Sequence, residues 1–179
     1  FIKKVLKKIE ENNGCLDTGF LGTPVLLDTL CEYGYSEKAY DLLFQDKCPS
    51  WLYEVDHGAT TIWESWIASK EDGTPMNVSL NHYAFGCVDD WMFRHINGIV
   101  PVTPGYQKFR VQPIMDKRID WAKRSFESEY GTIVTEWERK DGKLTLKVCV
   151  PPCTRAEIVL PNGETFERGS GRYTFNCEL

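Results

Sequence analysis

The stretch GIVPVTPGY, Gly98–Tyr106, divides the chain. Its two prolines and two glycines break any helix that reaches it, because proline lacks an amide hydrogen and clashes with the preceding turn. Before Gly98 the apolar residues recur at helical spacing, and after Tyr106 they alternate in short segments. The reading is a multidomain α and β chain: a helical part over residues 1–97 and a β part over residues 98–179.

Upstream, Phe1, Ile2, Val5, Leu6 and Ile9 form one helical face, with Lys3, Lys4, Lys7 and Lys8 on the solvated side. Thr23 is expected to cap a second helix with Pro24 in its first position, followed by Val25, Leu26, Leu27 and Leu30. Gly34 ends that helix and Ser36 caps the next, SEKAYDLLFQ, so Gly34-Tyr35-Ser36 joins an αα-hairpin. A further helix is expected from Asn81 to Ile96, where Ala84, Val88, Trp91, Met92 and His95 make a buried stripe and His82 stands off it at the helix start.

Downstream, the alternating segments contain Phe109 and Val111; Ile133, Thr135 and Trp137; Leu144, Leu146, Val148 and Val150; Ile158 and Leu160; and Tyr173 and Phe175. Asp141-Gly142 and Asn162-Gly163 read as hairpin dipeptides with positive φ at both central positions. An antiparallel β-sandwich is expected.

Composition narrows the partners. A net charge of -5, with no basic cluster interleaved with aromatics, argues against nucleic acid or an anionic membrane. Six tryptophans and eight tyrosines suit stacking on sugar rings as well as they suit a core. The seven cysteines include no CxxC pair, so free thiols and a reducing, cytoplasmic setting are expected rather than secretion. The lone Cys149/Cys153 pair, with no second pair, is poor evidence for zinc, no two of His57, His82 and His95 share metal-ligand spacing on one element, and no metal or other cofactor is expected. The chain opens at Phe1 without an initiator methionine, as a piece of a longer protein would.

The tract GATTIWESW, Gly58–Trp66, sets one carboxylate, Glu64, among apolar and aromatic residues. Two readings fit. Thr61-Ile62-Trp63-Glu64 has the form of a capping box, with Glu64 bonding back to the Thr61 amide. Alternatively, the flanking tryptophans desolvate the carboxylate and make it a stronger base.

Five tracts, DTGFLGTPVLLDTL, PSWLYEVDHGATTIWESW, MNVSLNHYAFGCVDDWMFRHINGI, PGYQKFRVQP and YGTIVTEWERKDGKLTLKVCVPP, resemble in order the C-terminal part of the bacterial α-L-rhamnosidases, inverting enzymes of glycoside hydrolase family 78. The resemblance implies that residues 1–97 close an (α/α)6 catalytic barrel and that residues 98–179 are the family's C-terminal β-sandwich domain. It implies that Glu64 is the general base that activates water and that His82 contacts rhamnose, with Trp63 and Tyr83 as candidate pocket walls. Inversion requires a carboxylic acid and a carboxylate base about 6.5 to 9.5 Å apart. The family's acid lies in a tract with no counterpart here, and no motif sets Asp17, Asp56, Asp89 or Asp90 opposite Glu64.

The expectation is therefore half of an active site, inactive in isolation, from a hydrolase of terminal α-L-rhamnosides. Its partners would be rhamnose-containing glycosides, and the exposed barrel face would self-associate. The competing class is a non-catalytic carbohydrate-binding or interaction module in which Glu64 only caps a helix.

Overall fold

A computed structural model describes residues 1–70 and 74–179. They form two compact units, Phe1–Asp90 and Trp91–Leu179. No helix among the described residues is long and apolar enough to cross a membrane.

The first unit begins with α1 (Ile2–Glu11), whose apolar residues are only half-buried. Its C-terminus closes in a Schellman motif, the amides of Gly14 and Asn13 donating to Ile9 and Glu10, with Asn13 at φ 56. The expected hairpin follows as α2 (Thr23–Glu32) and α3 (Ser36–Leu43), packed through Leu27, Leu30, Ala39, Tyr40 and Leu42. Gly34, at φ 81, ends α2: its own amide donates to Cys31 and the Tyr35 amide to Leu30.

Both expected N-caps move by one residue. Thr23 and Ser36 are already helical, and the caps are Gly22 and Tyr35. The Thr23 hydroxyl donates to the Gly19 carbonyl at 2.9 Å instead of accepting from the helix.

A short helix, α4 (Trp51–Asp56), precedes the GATTIWESW tract. Ser50 caps it by accepting from the Tyr53 amide at 3.1 Å. Gly58, at φ 81, closes its other end, its amide donating to Val55 and the Ala59 amide to Glu54.

The helix expected over residues 81–96 begins later and is broken into three. A 3₁₀ turn at Ala84–Gly86 leads into α5 (Cys87–Trp91) and a π-helical turn at Met92–Ile96. The wider turn shifts the phase of the stripe. Ala84, Val88 and Trp91 are buried, but Phe93 and Ile96 then take the inner positions and leave Met92 and His95 half-buried. His95 packs against the Trp91 ring at 5.2 Å.

The second unit holds two four-stranded sheets. One runs β1 (Ile99–Pro101), β2 (Lys108–Val111), β6 (Arg155–Val159), β7 (Thr165–Arg168); the other runs β3 (Trp121–Ser128), β4 (Gly131–Lys140), β5 (Lys143–Val150), β8 (Gly171–Glu178). The expected alternation is present: Phe109, Val111, Ile133, Thr135, Trp137, Leu144, Leu146, Val148, Val150 and Ile158 are all buried. The Trp137 indole donates to the Ile96 carbonyl at 2.8 Å, so this large buried ring leaves no polar atom unpaired.

One ladder departs from the antiparallel expectation, since β2 and β6 pair in parallel. Strands β3 to β5 lie between them in the chain, and a connection of that length can return a strand in the same direction. Asp141-Gly142 makes the expected turn, at φ 50 and 74. At Asn162-Gly163 only Gly163 has positive φ, because Pro161 occupies the first central position and fixes a negative one. Gly98, at φ 76, lets β1 approach the following segment: a Cβ there would lie 2.3 Å from the Pro113 nitrogen.

Candidate functional site

Residues 59–67 are neither helix nor strand. The capping box is therefore absent, as no helix begins at Thr61 for Glu64 to cap. The tract is held instead by segment 79–82. The Glu64 amide donates to the Ser79 carbonyl at 2.9 Å, and the Ser79 amide donates to Glu64 Oε2 at 2.7 Å. The His82 amide donates to the Ile62 carbonyl at 2.8 Å, and the Thr61 hydroxyl donates to the Leu80 carbonyl. These bonds bring the segments of Glu64 and His82 side by side. Glu64 is half-buried and keeps one oxygen on a charge-assisted amide bond.

The His82 ring is stacked between Phe20, at 4.7 Å, and Tyr83, at 5.1 Å, with interplanar angles of 14° to each. Its Nδ1 accepts from the Ala84 amide at 3.2 Å, so in the neutral ring the hydrogen sits on Nε2. Phe20 is 42% exposed and Tyr83 88% exposed, which makes this stack a surface feature. Behind it, Phe85 meets Phe20 at 5.3 Å and stacks on Trp66 at 3.8 Å, and Trp66 meets Trp51 edge-on at 5.4 Å.

The tryptophans flanking Glu64 in sequence both enter the core. Trp66 is buried, its indole donating to the Thr18 carbonyl at 3.0 Å. Trp63 is 6% exposed and borders a cleft of about 380 Å³ together with His57, Thr60, Thr61, Lys70 and Leu80. Neither Glu64 nor His82 borders that cleft. Of the two candidate walls, Tyr83 thus shares a stack with His82, whereas Trp63 faces elsewhere.

Sequence reasoning missed three residues. Phe20 lies far from His82 in sequence, and no local pattern links them. Ser79 acts through its backbone, which any residue but proline could supply. Glu54, on α4, was legible in principle, because Ser50 and Gly58 bracket a short helix. It is 2% exposed, and its Oε2 accepts from the Trp63 amide at 3.3 Å. Burial raises its pKa to about 7, partly offset by that amide bond.

All seven cysteines are free. No group of three histidine, cysteine, aspartate or glutamate side chains among the described residues could hold a metal ion.

The family model for the bacterial α-L-rhamnosidase 6 hairpin glycosidase domain matches residues 1–96, and that for the bacterial α-L-rhamnosidase C-terminal domain matches residues 98–175. An α-L-rhamnosidase of Formosa agariphila is 42% identical over 177 residues, covering 96% of this chain and 19% of the relative. The crystal structure of Streptomyces avermitilis α-L-rhamnosidase complexed with L-rhamnose superposes with a TM-score of 0.94 at 34% identity, covering 98% of this chain and 19% of that one. The native α-L-rhamnosidase from Aspergillus terreus gives 0.93 at 36% identity, over 97% and 21%. The chain thus spans about a fifth of the length of these relatives. The fold is the C-terminal portion of a six-hairpin glycosidase domain followed by a β-sandwich, and the chain belongs to the bacterial α-L-rhamnosidase family.

Proposed function

We propose that this chain supplies the general base and part of the sugar pocket of an inverting α-L-rhamnosidase acting on terminal α-L-rhamnosides. Glu64 takes the proton of the attacking water, and His82 donates a hydrogen bond from Nε2 to a sugar hydroxyl. The observation that carries this reading is the pairing of segments 61–64 and 79–82, which sets the Glu64 carboxylate and the His82 stack on neighbouring backbone. Two further features support it. The Ser79 amide occupies only Glu64 Oε2, which suits a base that needs its other oxygen for water. Phe20 and Tyr83 offer exposed rings beside His82, suited to a sugar face. The relative from Streptomyces avermitilis is described in complex with L-rhamnose.

The acid partner is assigned to a part of the protein outside this chain. In the protein that carries the chain, Glu64→Gln should lower kcat on an aryl α-L-rhamnoside by at least roughly 10²-fold while rhamnose still binds. The exposed stack alone also suits a non-catalytic carbohydrate-binding module, and that reading predicts no loss of turnover in the same variant. The half-covered face of α1, where Phe1, Val5, Ile9 and Leu26 line an apolar cavity of about 400 Å³, is proposed as a self-association surface of the isolated chain.

A further inference from the structure

We propose that Glu54 is a positioning residue for Glu64, fixing both ends of the Ala59–Trp63 backbone; this rests on Glu64 being the base. Its main-chain carbonyl accepts the Ala59 amide at 3.0 Å, closing the end of α4. Its carboxyl accepts the Trp63 amide at 3.3 Å, one residue before Glu64. One side chain and its own carbonyl therefore span the whole approach to the base. Residues 60–62 between these anchors have no helical or strand bonding. Thr61 and Ile62 bond to segment 79–82.

Packing does not explain an acid at this position. Glu54 is 2% exposed, and its Oε1 has no hydrogen-bond partner among the described residues. A leucine would fill similar space without desolvating a carboxyl group. What leucine cannot do is accept the Trp63 amide, which is buried and would be left unpaired. The tract would then relax to find another acceptor and would carry the Glu64 carboxylate with it. A base acts only within hydrogen-bond reach of its water, and a displacement of about 1 Å can cost roughly 10²-fold in rate.

The test compares Glu54→Leu with Glu54→Gln in the protein that carries this chain. Turnover of p-nitrophenyl α-L-rhamnoside is normalised to folded protein, and hydrogen exchange is read at the Trp63 amide. The leucine variant should lose about 10- to 100-fold in kcat with KM changed less than about threefold, and its Trp63 amide should exchange faster. The glutamine variant, whose amide oxygen still accepts, should restore both. Unbranched Glu54→Met takes the place of leucine if that variant does not fold. An unchanged kcat in the apolar variant, or an equal loss in the glutamine variant, overturns the proposal. Glu64→Gln run in parallel separates the two ideas. Turnover retained there overturns the base itself, while exchange at Trp63 still reports whether Glu54 holds the tract.

Discussion

The buried carboxyl of Glu54 makes a specific claim about pH. In the unfolded chain it releases its proton near the ordinary value of 4.5, whereas in the fold burial holds the proton to about pH 7. Between those values the folded state binds more protons than the unfolded one, so stability must fall as pH rises. Below pH 4.5 the group imposes no penalty; through the window up to pH 7 the penalty grows, and above it stays constant. At roughly 1.36 kcal/mol per pH unit the loss is about 3 kcal/mol. Glu54→Gln keeps the shape and the acceptor for Trp63 but cannot ionise. Groups common to both proteins, such as Asp116, whose pKa is lowered by the hydrogen-bonded Arg118 side chain, cancel in the comparison. Urea unfolding of the two proteins between about pH 4 and pH 8 should show the glutamine variant gaining on the parent by about 3 kcal/mol, or roughly 6–12 °C if measured by heating. Two pH profiles that run parallel would refute the assignment of a raised, buried carboxyl at Glu54.

Two expectations concern other parts of the helical unit. His82→Ala in the protein that carries this chain should weaken rhamnoside binding or turnover by about 1–2 kcal/mol, the scale of one hydrogen bond with its stacking, and leave the melting temperature within a few degrees; a large drop in melting temperature with unaltered kinetics would make His82 structural. The isolated chain should sediment as more than a monomer, and Val5→Asp, on the half-buried face of α1 that lines the apolar cavity, should shift it towards monomer.

How far these features could be read from sequence depends on how local their causes are. The αα-hairpin was legible because Gly34 and the apolar spacing on either side of it act within a few residues. The same holds for β4 and β5, whose alternating residues flank a dipeptide that fixes the turn. Strand β3 was missed because it is an edge strand whose less exposed side carries Arg124 and Ser128 beside Ala122 and Phe126, which breaks the apolar alternation. The parallel β2–β6 ladder was missed because nothing in either strand encodes a partner across three others. The π-helical turn escaped because helical spacing extrapolates one period through a place where the backbone inserts a residue. The site divides along the same line. Glu64 and His82 were singled out through the tracts that contain them, and the pattern around Thr61 that suggested a helix cap was misleading, because a capping box requires a helix and residues 59–67 form none. Phe20, Ser79 and Glu54 act on those tracts from outside. Glu54 is the instructive case: its residue type looks like one more solvated helix acid, and only the fold of α4 against the Trp63 amide turns it inward. A charged residue type in a short helix is therefore weak evidence of exposure wherever the next segment must be held by its backbone.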